Sequence, residues 1–194
     1  MPNPVRDPCR DLLQALDDYG RRWPEEGAVV ARFQALLADR NDPFSRSRLT
    51  GHFTASAWLV DRRGARVLLT HHRKLERWLQ LGGHADGQRD LAAVALLEAQ
   101  EESGLPGLRV ERELFDLDRH WIPARGDVPG HWHHDARYVV HASADEQYVV
   151  SAESLDLAWR DIQRIASGGD GADNYDAALQ RMAHKWLQRQ GNDQ

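Results

Sequence analysis

The chain has 194 residues, 41% apolar and 28% charged, with a formal net charge of −5. That is the composition of one soluble globular domain with a modest extension, able to bury a core without disulfide staples. The acidic balance excludes a broad nucleic-acid surface. No apolar run exceeds the seven residues Leu91–Leu97, which excludes a membrane span.

A lone cysteine, Cys9, excludes an internal disulfide and a thiolate metal cluster. The first residues lack the apolar stretch of a secretory signal, so a cytoplasmic protein is expected. Along residues 5–20, Leu12, Leu13, Ala15, Leu16 and Tyr19 recur at helical spacing, with Gly20 as a stop. Trp23-Pro24 breaks the chain, and residues 25–40 predict a second helix that ends at Asn41-Asp42-Pro43. Residues 1–45 thus read as a helical hairpin ahead of a main domain over 46–194. Two short amphipathic helices fit a sheet cover, a homodimer face or a lid equally well.

From His52 the period changes to two, with Phe53, Ala55, Ala57 and Leu59 on one side of a strand. A turn at residues 61–64 leads to a partner strand at 65–70. A charged loop containing Arg73, Lys74 and Arg77 comes next, then a short strand through Trp78, Leu79 and Leu81. Gly82-Gly83 reads as the opening of a loop. Asp90 is a candidate N-cap for a helix running to Ser103, with Gly104 at its left-handed end and Pro106 beyond. Further strands are expected near 108–118, 133–143 and 155–160, and a final helix near 173–189. The fold class is α+β, a sandwich built on a mixed sheet.

The acidic end of the central helix carries the chemistry. Glu98, Glu101 and Glu102 stand at i, i+3 and i+4, so their carboxylates leave one turn within an arc of about 100°. Upstream on the same arc lie Leu91, Val94 and Ala95, so the acids prolong a buried face. Crowded carboxylates repel, and they also meet the negative end of the helix dipole. A divalent cation removes that cost, and an all-oxygen ligand set favours Mg2+, or Mn2+, over zinc.

Gly83 to Leu105 resembles the Nudix box, a twenty-three-residue glycine-led loop and helix. Gly83, Glu98, Glu101, Glu102, Gly104 and Leu105 match in register, and Ala99 fits the first apolar position. Two positions depart: Arg89 stands where the family has Glu, and Leu97 where it has Arg. Those two family residues commonly form an ion pair, and losing both partners is cheaper than stranding one. Asp86 or Asp90 is the expected replacement partner for Arg89. The segments His52–Ser56 and Trp78–Gln80 and the later His-rich strand are similar to a bacterial subgroup of largely unassigned substrate.

The resemblance implies a Nudix-type α/β/α sandwich with a mixed sheet, here carrying an N-terminal helical extension. It implies a hydrolase that cuts a phosphoanhydride in a nucleoside diphosphate linked to another moiety. Glu98, Glu101 and Glu102, with the Gly83 carbonyl, would hold Mg2+, and Glu98 is assigned as general base. The partner is a small nucleotide or other diphosphate. Because of Arg89 and Leu97, a nucleotide-binding sensor that does not cut is the alternative. An isopentenyl-diphosphate isomerase relative needs a cysteine just before Gly83-His84, where Leu81-Gly82 stands.

A second constellation is His131 to Tyr138. On a strand, His131, His133, Asp135 and Arg137 share one face. That row either lines a substrate cleft, with Arg137 on a phosphate, or faces water. Clustered histidines also raise a transition-metal site, although spacing along one strand is weak evidence for it. His84 and Arg73 complete the expected substrate-facing residues. Trp78, Trp121 and Trp132 either stack on a base or pack internally.

Overall fold

The computed structural model describes residues 7–73, 76–143, 146–150, 154–169 and 175–192. In chain order come α1 (Pro8–Arg22), a 3-10 turn (Pro24–Glu26), α2 (Gly27–Leu37), β1 (Gly51–Val60), β2 (Arg66–His72), β3 (Arg77–Leu79) and β4 (Leu81–His84). Then follow α3 (Leu91–Ser103), β5 (Arg109–Ile122), β6 (His131–His141), β7 (Ser154–Asp161), α4 (Ile162–Ala166) and α5 (Ala177–Asn192). The class is α+β, with helices on both faces of one mixed sheet.

The main path of that sheet runs β3-β2-β1-β6-β5, with β4 also paired to β1 and β7 to β2. The β1–β6 pair is parallel over its whole length, from Gly51 opposite Trp132 to Val60 opposite His141. β4 and β5 run antiparallel to their neighbours. β1 therefore lies in the middle, and all ten of its residues are buried. Its period-two alternation separates two buried faces, because helices cover both.

One face packs Phe53, Ala55, Ala136 and Tyr138 against Leu91, Ala92, Val94 and Ala95 of α3 and Leu16, Tyr19 and Phe33 of α1 and α2. Each buried Leu or Val contributes about 1.5–3 kcal/mol. The other face packs Trp58, Val60, Leu69 and Val139 against Ile162, Leu179, Met182 and Trp186 of α4 and α5. Helices α1 and α2 thus cover the sheet rather than standing apart from it. Among the described residues no helix is long and apolar enough to cross a membrane.

Three expected elements differ, the first being the short strand through Trp78, Leu79 and Leu81, which is two strands, β3 on β2 and β4 on β1. The helix over 25–40 is a 3-10 turn followed by α2, ending at Leu37. Gly82-Gly83 is not a loop but half of β4, where Ser56 pairs with Gly82 and Ala55 with Gly83. The start of the final helix, expected at 173, lies outside the described residues; α5 begins at Ala177.

Candidate active site

The acidic helix forms as its ends dictate. The Asp90 carboxylate accepts from the Ala93 N–H at 3.1 Å, satisfying one orphan donor of the first turn. Gly104, at φ 68°, closes the other end in the left-handed region. The apolar first half of α3 fixes its rotation against the sheet, and that rotation aims Glu98 and Glu102 at β4. The Gly82 N–H donates to Glu102 Oε1 at 2.8 Å. A Cβ on Gly83 would stand 2.3 Å from Glu98 Oε1, and one on Gly82 would stand 2.7 Å from the Ala55 carbonyl oxygen.

Both glycines are thus required by close approach. Neither has a positive φ, so room rather than backbone freedom is what they supply. Glu98 and Glu102 are half-buried, whereas Glu101 is exposed. Two carboxylates and a backbone segment without side chains make an oxygen-rich cradle whose narrowness excludes even a methyl group. That donor set fits a small hard cation such as Mg2+.

The loop between β4 and α3 is held differently from expectation. Asp86 pairs with Arg46, and Asp90 pairs with Arg112 at 2.9 Å, so neither serves Arg89. The Arg89 guanidinium instead donates to Cys9 Sγ at 3.2 Å and lies 5.5 Å from the centre of the Phe44 ring. Cys9 is thereby a contact between α1 and this loop. Leu97 is 51% exposed and leaves no charge stranded.

The face of the sheet opposite α3 carries a polar row across four adjacent strands. β4 gives His84, β1 gives His52, Thr54 and Ser56, β6 gives His131, His133, Asp135 and Arg137, and β5 gives Asp116, Asp118 and His120. Arg137 is 3% exposed. Its Nε donates to Asp135 at 2.8 Å, its Nη1 to Asp116 at 3.0 Å, and its Nη2 lies 3.3 Å from Asp118. Asp135 also accepts from Thr54 at 3.0 Å, Ser56 at 2.8 Å and Gln80 at 3.4 Å.

Neither a wet face nor a free phosphate clamp results, because Arg137 and Asp135 are buried and spent on each other and their neighbours. Asp116 is also bound by Arg181 at 2.9 Å and Lys185 at 2.7 Å. Burial pushes the Asp116 carboxyl up, but Arg181, Arg137 and Lys185 outweigh it and hold it below the ordinary range. Asp118 behaves likewise, with burial overcome by His120 and Arg137.

The histidines differ in kind. His133 is half-buried, and desolvation, then neighbouring histidines, lower its pKa to about 2. Desolvation and Arg46 lower His84 to about 4, and His52 is lowered chiefly by burial. His84 and His133 are thus neutral at pH 7. His134 lies on the other face, edge-on to Phe33 at 5.3 Å, and is a core residue.

Arg73 is exposed in the turn after β2, and Lys74 lies outside the described residues. Arg77 is exposed, 3.9 Å from Asp176. Trp78 packs under Arg160 at 4.1 Å, while Trp121 sits edge-on to Trp132, whose ring carries Arg119 at 3.5 Å. Sequence reasoning missed Arg46, His52, His120, Arg181 and Lys185. None lies within the box or belongs to a local motif.

No family model and no curated protein matches the chain. Solved structures do. A Nudix-family hydrolase from Clostridium perfringens is 26% identical, with a TM-score of 0.53, covering 72% of this chain and 97% of that one. The MutT protein of Methanosarcina mazei is 13% identical, with a TM-score of 0.57, covering 74% and 97%. A binary complex of the C. elegans Ap4A hydrolase is 15% identical, with a TM-score of 0.55, covering 72% and 98%. The sandwich is a Nudix fold. On that fold Gly83, Glu98, Glu101, Glu102 and Gly104 stand in the register of the Nudix box.

Proposed function

We propose that this chain is a Mg2+-dependent hydrolase, with Mn2+ as a substitute, that cuts a phosphoanhydride in a nucleoside diphosphate linked to another moiety. One observation carries the reading: Glu98 closes on Gly83 so tightly that no side chain fits there, while Glu102 is pinned to the Gly82 N–H at 2.8 Å. Such a cradle is hard to account for as a solvated acidic patch. The single free cysteine agrees with a cytoplasmic setting.

In this reading Glu98, Glu101 and Glu102 and the Gly83 carbonyl hold the cation, which when bound neutralises charge gathering on the phosphoryl oxygens. Glu98 takes the proton of the attacking water at a carboxylate oxygen, because the Gly83 backbone limits where that oxygen can go. Glu102 keeps its orientation through the Gly82 N–H. Arg73 faces the substrate as a cation for a phosphate, whereas His84 and His133 stand on the sheet face opposite Glu98. Asp135 and Arg137 act behind them, fixing the strand on which His133 stands.

The test is a panel of nucleoside diphosphate derivatives incubated with the full chain and Mg2+, scored by release of mononucleotide or phosphate. Glu98→Gln with Glu102→Gln should lower kcat at least about a hundred-fold, the several kcal/mol that cation stabilisation supplies. Cleavage that persists unchanged in the double variant defeats the site. Binding of nucleotides without cleavage by the unmodified chain favours the sensor alternative, to which the Arg89 and Leu97 departures point.

A further inference from the structure

Four neighbouring strands deliver histidines to one end of one face of the sheet, where the function proposed above has no use for most of them. His52 on β1 is the register partner of His133 on β6, and His131 lies two residues away on the same side. The ring centres of His52, His131 and His133 form a nearly equilateral triangle, with sides of 5.0, 5.0 and 5.1 Å. One ring nitrogen from each lies within 4.8 Å of the others.

Proton placement shows what the triangle lacks. His52 Nδ1 donates to the Arg48 carbonyl at 3.2 Å, and His131 Nδ1 donates to the Pro129 carbonyl at 2.9 Å. A neutral imidazole carries one proton, so Nε2 of both rings bears a lone pair. His131 Nε2 meets His133 Nε2 at 3.2 Å, and a proton on the latter satisfies that pair. His52 Nε2 remains. It is fully buried, with no hydrogen-bond partner among the described residues. A buried acceptor left unmet costs about 1–3 kcal/mol, and one cation between the three rings removes the deficit.

We propose that His52, His131 and His133 bind a divalent transition-metal ion of the zinc class through their Nε2 atoms, at a site separate from the carboxylates of α3. Three nitrogens and no thiolate suit zinc and its neighbours, whereas Mg2+ takes oxygen. Tetrahedral zinc places its nitrogen ligands about 3.3 Å apart, close to the 3.2 Å between His131 and His133. The backbone carbonyls on Nδ1 of two ligands are the outer contacts such sites use to aim Nε2 inward. A fourth position faces His84, whose ring is 5.2 Å from His52 and 5.0 Å from His133. Strand alternation keeps the sites apart: Gly83 faces Glu98, and its neighbour His84 faces the opposite side.

This inference does not rest on the hydrolase reading, and its test reads metal directly. The full chain, stripped with chelator, is titrated with Zn2+ against a chromophoric indicator in millimolar Mg2+. One equivalent should bind, and Co2+ in its place should show the intense visible bands of a four-coordinate site. His131→Gln and His133→Gln should each weaken uptake by more than the roughly hundred-fold that even outer contacts command. Glu98→Gln with Glu102→Gln, and His71→Gln with His72→Gln, should leave it intact. No stoichiometric uptake, a featureless octahedral Co2+ spectrum, or loss of uptake in either control pair overturns the proposal. Where circular dichroism shows a ligand variant to be unfolded, the Co2+ spectrum of the unmodified chain decides.

Discussion

Arg137→Met separates a structural cation from a substrate clamp. Three buried or half-buried carboxylates, Asp116, Asp118 and Asp135, are matched by Arg137, Arg181 and Lys185. Asp116 and Asp118 keep Arg181 when Arg137 is removed. Asp135 keeps only the Thr54 and Ser56 hydroxyls and the Gln80 amide among the partners found for it. A buried charge is thus uncovered, at a cost of about 3–5 kcal/mol. For a chain of this size that lowers Tm by about 10 °C. Urea denaturation at pH 7 measures it, and Asp135→Asn added to Arg137→Met should recover about half, because removing both partners leaves little stranded. A loss below about 0.5 kcal/mol, the range of ordinary surface substitutions, combined with a raised KM would refute the reasoning and return Arg137 to the substrate.

Gly83→Ala should displace the Glu98 carboxylate, since the new methyl would stand 2.3 Å from its oxygen; kcat should fall about a hundred-fold with little change in Tm, and an unchanged kcat argues against the cradle. Asp90→Ala removes the cap on the Ala93 N–H and should cost about 1 kcal/mol in urea, whereas Asp90→Asn should keep most of it. His134, lowered to about 4 chiefly by burial, is neutral in the fold but takes a proton near pH 6.5 when the chain unfolds. Its contribution is therefore full above pH 6.5 and lost as pH falls towards 4, up to about 3 kcal/mol. His134→Leu should reduce the slope of stability against pH across that window, which His52, His84 and His133 share, and an unaltered slope contradicts the assignment.

The central helix was legible because its signals are local: Asp90 at the cap, Gly104 at the end, an apolar half and an acidic half. The glycine pair was misread for the same reason. Side by side, Gly82-Gly83 spells a turn, and only the approach of Glu98 and the Ala55 carbonyl explains a strand without side chains. Alternation put His133, Asp135 and Arg137 on one face correctly. Their polarity could not say whether that face was wet, because the partners Asp116, Arg181 and Lys185 come from β5 and α5. His52 joined the histidine cluster unseen, since a parallel pairing across β1 and β6 leaves no trace of spacing.

The same non-local logic accounts for the two departures in the box. An ion pair between its loop and helix would hold residues 85–90 in place from within the box. Here both partners are absent, and the loop is tied from the N-terminal side. Arg46 holds Asp86, the Phe44 carbonyl accepts from the Gly87 N–H at 2.9 Å, and Arg89 reaches Cys9 on α1 across the Phe44 ring. The segment preceding β1 therefore supplies an anchor that the box itself lacks, and Arg89 turns outward from the box because its partners lie there. Tyr19 and Glu26, both bound to Lys185, fasten α1 and the 3-10 turn to the ion cluster beneath His133. The N-terminal helices thus meet both faces of the site: one through the loop that leads into α3, the other through the charges under β6.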